Sequence, residues 1–196
     1  MNKKYFTMSV ILAVLLVLFS FKISSTTEQK GKGLTKQKLI KRGEYLVRFG
    51  GCNDCHTPKV LTPNGPIPDK ARLLSGHPSD SKMPAIDFNL VEGGKWILFS
   101  PDLTLAVGLW GVTFATNLTT DKQTGIGLWT EEIFINTMRT GKHMGAGRPI
   151  LPPMPWFNLE HLADEDLKAI FAYLQSLKPI KNLVPAPISP SQLKTK

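Results

Sequence analysis

The sequence predicts an all-α fold with one amphipathic helix near each end of a single domain and long irregular loops between them. Three observations carry this. Apolar residues recur at helical spacing over 35–49 and again over 164–178, and the span between is interrupted by much of the chain's 15 Pro and 16 Gly. A length of 196 residues suits one hydrophobic core with appendages rather than two domains.

The chain starts Met-Asn-Lys-Lys, followed by an uncharged run from Tyr5 to Phe21 that is almost wholly aliphatic between Val10 and Phe19. A basic start before a short apolar stretch is an export signal. Residues 1–25 are therefore expected to be a cleaved signal peptide or a retained anchor, with the possible tether in residues 5–21 and the folded part outside the cytoplasm. Residues 26–34, polar and Gly-containing, read as a linker. The domain is expected at 35–182. Leu39, Ile40, Gly43, Leu46 and Val47 form its first helical stripe, and Gly50-Gly51 ends that helix.

In the middle, Thr130–Thr140 is a helix candidate: Ile133, Phe134, Thr137 and Met138 share a face behind a capping Thr130 and two acids. Phe99–Thr116 is apolar but broken by Pro101, Gly108 and Gly111, so short strands and packed loop both remain open. The last helix carries Leu167, Ile170, Phe171, Leu174 and Leu177, starts at the acids Asp164, Glu165 and Asp166, and stops before Pro179. Residues 183–196, with Pro185, Pro187 and Pro190, are expected to be a mobile tail outside the core.

The formal charge of +9 includes Lys3, Lys4 and Lys22 of the leader. A basic surface of this kind steers encounters with acidic partners or anionic membranes. No basic block is interleaved with aromatics and no nucleic-acid recognition signature occurs, so nucleic acid is not an expected partner.

The two cysteines of the chain lie in Cys52-Asn53-Asp54-Cys55-His56, the attachment signature for haem c. Each thiol adds to one haem vinyl group, the two-residue gap matches the vinyl separation, and the adjacent His is delivered to the iron. A thioredoxin-like dithiol has no use for the His, and one pair of cysteines does not complete a four-ligand zinc site without distant histidines. A disulfide across two residues would stabilise little. Export agrees with the haem, because c-type maturation takes place outside the cytoplasm.

An electron carrier needs a sixth iron ligand, and Met83, Met138, Met144, Met154, His77, His143 and His161 are the candidates. Met154 is preferred: it sits in Pro152-Pro153-Met154-Pro155-Trp156, where the prolines fix the backbone that presents its thioether. Met138 reads as core, Met144 as loosely held among glycines, and the three histidines as surface residues by default. A His/Met pair stabilises ferrous iron and closes the coordination sphere, which suits one-electron transfer over substrate chemistry.

The chain resembles the class I c-type cytochromes, of the kind that serve as haem subunits or partners of periplasmic dehydrogenases acting on alcohols and sugar acids. The resemblance covers roughly residues 37–182. It runs through Gly43-Glu44-Tyr45-Leu46-Val47, Gly51-Cys52-Asn53-Asp54-Cys55-His56-Thr57-Pro58, Leu74-Ser75-Gly76, Asn117-Leu118-Thr119-Thr120-Asp121, Thr124 to Thr130, Pro153-Met154-Pro155 and Asp164-Glu165-Asp166-Leu167. It implies a cytochrome c fold, with first and last helices crossing near Gly43 and Tyr173 over a covalently bound haem, and with the Met154 loop closing the distal face. A carbonyl near Gly65-Pro66 is implied to orient His56, and Arg139, Arg148 and Trp156 are candidates for the propionates. Two positions depart from the pattern, Thr120 where relatives usually have Pro and Ala163 where they often have Thr. Some relatives carry three haems, whereas one attachment motif here implies one.

The functional expectation is a monohaem cytochrome moving single electrons between periplasmic redox partners, a dehydrogenase donor and an oxidase or other cytochrome acceptor, with no catalytic residue. One alternative is a non-catalytic cytochrome subunit of a membrane-bound dehydrogenase complex. Another is a haem enzyme or ligand sensor with a labile sixth ligand.

Overall fold

A computed structural model describes residues 35–193; the expected leader and linker lie outside the described residues, as do 194–196. The first helix, α1 (Lys36–Phe49), turns Gly43 and Val47 into the core, with Ile40 and Leu46 packed beside them. It closes through the Gly50 N–H to the Leu46 carbonyl (2.8 Å), and Gly51 reverses the chain in the left-handed region at φ 68°. The short helix α2 (Cys52–His56) follows at once.

An antiparallel hairpin comes next, β1 (Lys59–Thr62) paired with β2 (Gly65–Pro68). Beyond the one-turn helix α3 (Phe88–Val91), three antiparallel strands stand in the order β3 (Leu98–Phe99), β4 (Leu105–Gly108), β5 (Gly111–Phe114). These strands correct the all-α expectation. Val107, Val112 and Phe114 suit a pleated surface, and Gly108 faces Gly111, at φ 97°, across the two-residue turn Leu109-Trp110. They enclose a second small core of Val91, Leu105, Val107, Val112 and Phe114.

The tail is also corrected. The Val112 N–H donates to the Ile188 carbonyl (2.8 Å) and the Ile188 N–H to the Val112 carbonyl (3.0 Å), so residue 188 extends the sheet beside β5. A Cβ on Gly111 would lie 2.0 Å from that Ile188 carbonyl, so only glycine lets the tail approach. Val184, Ile188 and Leu193 pack on the second core. Burial of these apolar side chains holds the tail in place, and the extended bias of the neighbouring prolines suits its strand-like pairing.

The helical half follows expectation more closely. Helix α4 (Glu131–Thr140) is capped by the Thr130 hydroxyl, which accepts from the Ile133 N–H (3.2 Å), and ends at left-handed Gly141. After α5 (Trp156–Leu159) comes α6 (Asp164–Leu174), four residues shorter than its apolar stripe suggests. Its last carbonyls are met by the N–H groups of Gln175, Ser176 and Leu177, and the Gln175 side-chain amide donates to the Ile126 carbonyl at 2.8 Å. A final turn, α7 (Pro190–Leu193), ends the described chain.

Helices α1 and α6 cross at Gly43, where a Cβ would come within 1.8 Å of the Ala169 carbonyl oxygen and 2.8 Å of Tyr173 Cβ. The crossing is thus where the motif resemblance implies it. A two-pronged ion pair from Arg42 to Asp166, at 2.9 and 3.2 Å, links the same helices. Val47, Leu74, Phe134, Met138, Leu167, Ile170 and Leu174 form the main core, with the Phe134 and Phe171 rings 5.4 Å apart.

Candidate functional site

Five consecutive residues, Cys52 to His56, make up α2, and one helical turn separates the two thiols, so both lie on one side of it. Gly51 makes this placement possible by breaking α1 just before the first cysteine. Behind the helix, the Thr57 hydroxyl donates to Asn53 Oδ1 (3.1 Å) and accepts from the Leu74 N–H (2.9 Å). Lys59 Nζ donates to the Asp54 and Thr57 carbonyls, setting a positive charge against the negative end of the helix.

His56 is buried, and its Nδ1–H donates to the Thr116 carbonyl at 2.8 Å. This fixes the ring's tautomer and orientation and leaves the Nε2 lone pair uncommitted, as a metal-ligating imidazole requires. Burial pushes its titration below the ordinary histidine value, which keeps it neutral, against a smaller upward pull from the Thr116 bond. The orienting carbonyl is therefore not at Gly65-Pro66. Those residues lie in the β1–β2 hairpin, where the Gly65 carbonyl accepts from the Thr62 hydroxyl at 2.6 Å.

Both cysteines are half-buried free thiols. Burial lifts Cys52 to about 11 and also raises Cys55, so both stay protonated at neutral pH and are weak nucleophiles in the folded chain. Two thiols one turn apart beside an imidazole with a free Nε2 form the donor set of a covalently attached haem, and these residues fit it.

Met154 stands on a separate part of the chain. It is half-buried between Pro153 and Pro155, just before α5. The loop is tied at its start by the Ile150 N–H to the Gly141 carbonyl (2.7 Å). At its end the Trp156 ring lies so close to Gly141 that a Cβ there would approach within 2.4 Å. Of its rivals, Met138 is in the main core, while Met83 and Met144 are exposed.

The histidines are less uniform than expected. His161 is exposed, and His143 is half-buried with its ring edge-on to Trp129 at 5.4 Å. His77 is only 3% exposed, which corrects its reading as a surface residue; its Nδ1 lies 2.7 Å from the Thr104 hydroxyl.

Arg139 is committed elsewhere than to a propionate. It donates to the Glu160 carbonyl, to the Leu162 carbonyl (2.7 Å) and to the Asp164 carboxylate (2.6 Å), bracing the turn between α5 and α6. Arg148 is exposed and bonds the Pro149 carbonyl at 3.3 Å. Sequence reasoning missed Thr116, which acts through its backbone and so carries no mark in its residue type. It also missed Lys59, whose spacing from the helix end was the available signal.

The family model for cytochrome c matches residues 40–178. The gluconate 2-dehydrogenase cytochrome c subunit of Pantoea cypripedii is 31% identical over 135 residues, which covers 69% of this chain and 22% of that protein. The cytochrome c subunit of the quinone alcohol dehydrogenase of Gluconobacter oxydans is 30% identical, over 74% of this chain and 23% of the relative. The fructose dehydrogenase cytochrome subunit of Gluconobacter japonicus is also 30% identical, over 76% of this chain and 25% of the relative. The chain thus spans about a quarter or less of the length of these relatives. The matched region starts within α1 and ends just beyond α6, enclosing the dithiol helix and its oriented imidazole, and the chain belongs to the cytochrome c family and carries a covalently bound haem c.

Proposed function

We propose that this chain is the non-catalytic cytochrome of a dehydrogenase complex, exported across the inner membrane, taking electrons from the dehydrogenase and passing them singly to an acceptor. The observation that supports this best is the His56 ring, buried and fixed through Nδ1 by the Thr116 carbonyl directly after the two attachment thiols. The relatives support the setting, since their names place them as cytochrome subunits of gluconate, alcohol and fructose dehydrogenases. The tether or signal in residues 1–25 and the basic balance of the chain fit a partner on the outer face of the membrane.

Cys52 and Cys55 would hold the haem through thioether links, and His56 Nε2 and Met154 Sδ would ligate its iron. When bound, the haem supplies a one-electron ferric/ferrous couple. The chain's own contribution is rigidity and polarity. Thr116 keeps the imidazole in one tautomer, and burial keeps it neutral. The prolines on both sides of Met154, with Trp156 seated on Gly141, limit how far its thioether can swing.

Ligation is tested on the haem-loaded protein. A low-spin ferric spectrum with a sulfur-to-iron band, lost in Met154→Leu, is the expected result; high-spin ferric iron in the unaltered protein overturns the His/Met reading. Partnership is tested by purifying the full chain from its own membranes. Co-elution with a dehydrogenase whose substrate reduces the haem is expected, whereas a haem that stays oxidised in every dehydrogenase fraction points to a free carrier.

A further inference from the structure

We propose that His77 is a positioning residue for the proximal ligand: with Thr104 it clamps the backbone that offers the Thr116 carbonyl to His56, and so helps set the potential of the iron. This rests on the reading of His56 as an axial ligand.

The hydrogen bonds around Ala115 form a closed ring. The Ala115 N–H donates to the Thr104 carbonyl (2.8 Å), the His77 N–H donates to the Ala115 carbonyl (2.8 Å), and His77 Nδ1 meets the Thr104 hydroxyl (2.7 Å). Ala115 is thus held on both sides by two residues whose side chains are bonded to each other, and the next carbonyl is the one that His56 uses. The residue before His77 touches the ligand from the other direction, since the Gly76 N–H donates to the His56 carbonyl at 2.8 Å. Gly76, at φ 79°, passes so close to Thr116 that a Cβ would come within 2.6 Å of its carbonyl carbon.

The direction of each bond follows from what the atoms can do. Asp102 accepts from the Ser100 hydroxyl (2.6 Å) and from the Thr104 hydroxyl (2.8 Å). Burial works to raise its titration, but those hydrogen bonds prevail and hold it below the ordinary carboxylate range, so it is an anion that only accepts. The Thr104 proton is therefore committed to Asp102, and His77 Nδ1 must be the donor to Thr104. The buried ring is oriented from its far side by a carboxylate, acting through one hydroxyl. Phe114, 5.0 Å from the ring centroid, and Asn182, which donates to the His77 carbonyl at 2.9 Å, complete the seat.

A firmly held acceptor at Nδ1–H gives His56 more imidazolate character, which favours ferric iron. Loosening the clamp should raise the potential. The test is spectroelectrochemical titration of the full haem-loaded chain carrying His77→Phe, Thr104→Val or His77→Asn. His77→Phe and Thr104→Val are expected to shift the ferric/ferrous ratio toward ferrous by several-fold, up to about tenfold or ~59 mV. His77→Asn, which keeps an N–H donor for Thr104, is expected to restore most of the original value. A merely structural role would lower the melting temperature of all three without moving the potential. Thr104→Val is isosteric and decides the matter where His77→Phe does not fold. An unmoved potential in Thr104→Val, or His77→Asn shifting as far as His77→Phe, overturns the proposal. His56→Ala separates the two readings: a low-spin spectrum that survives it removes His56 as ligand, whereas a spectrum that depends on His56 with an unmoved Thr104→Val potential removes the clamp alone.

Discussion

Replacing Gly43 by alanine probes the crossing of α1 and α6. The added methyl would lie 1.8 Å from the Ala169 carbonyl oxygen, whereas an ordinary carbon–oxygen contact needs about 3.3 Å, so the helices must part by roughly 1.5 Å. Overpacking of this kind costs about 1–3 kcal/mol and occasionally more. Parting the helices also loosens Val47 and Leu167, both fully buried between them, which adds a cavity cost of about 1–2 kcal/mol. Against this stands the better helix propensity of alanine, about 1 kcal/mol. The net is a loss of about 3 kcal/mol, or roughly 6–12 °C in melting temperature for a domain of this size. Thermal unfolding of the haem-loaded protein, followed by Soret circular dichroism, measures it. Since the obstacle is backbone, Ala169→Gly in the same chain should give no rescue. A change of less than about 2 °C, or rescue by Ala169→Gly, would refute the argument.

Asn182→Ala should destabilise by about 2–4 kcal/mol in urea unfolding, because Asn182 donates to the Ser75 and His77 carbonyls at 2.7 and 2.9 Å and accepts from the Ser79 N–H at 2.9 Å. A loss below about 1 kcal/mol would mean that water replaces these bonds freely. Asp102 gives a pH dependence whose sign is fixed by its lowered titration. The unfolded carboxyl takes up its proton near pH 3.9 and the folded one resists, so its stabilisation is full above that pH and is lost as pH falls toward the lower folded value. Urea midpoints at pH 6 and pH 3 should therefore converge in Asp102→Asn relative to the unaltered chain; an equal acid loss in both would assign the effect to other carboxylates.

The parts of the molecule that were legible in the sequence are those specified by side-chain pattern. The Leu39–Val47 stripe gave α1, Thr130 and the acids behind it gave α4, and Cys52, Cys55 and His56 announced the attachment motif through spacing alone, whereas the short helix that carries them shows only in the structure. The β3–β4–β5 sheet was harder to read, because its strands are two to four residues long and mostly apolar on both faces, so neither a helical nor a strict alternating period emerges. The docked tail was missed because its anchors, Val184, Ile188 and Leu193, are spread among prolines that locally favour extended chain. The orienting carbonyl was placed on the wrong loop because any backbone can supply one, and only the tertiary fold decides which.

That misplaced carbonyl changes how the sheet is understood. Thr116 is two residues beyond the end of β5, and Val112 within β5 pairs with Ile188 of the tail. A continuous run of backbone therefore leads from the tail, through the sheet, to the acceptor that fixes His56. Glycine makes the run close at both ends, with Gly111 admitting Ile188 and Gly76 admitting Thr116. Here the second core of Val91, Leu105, Val107, Val112 and Phe114 supports the strand on which the ligand's hydrogen bond depends, so changes that soften it should reach the iron through Thr116 without touching any ligand.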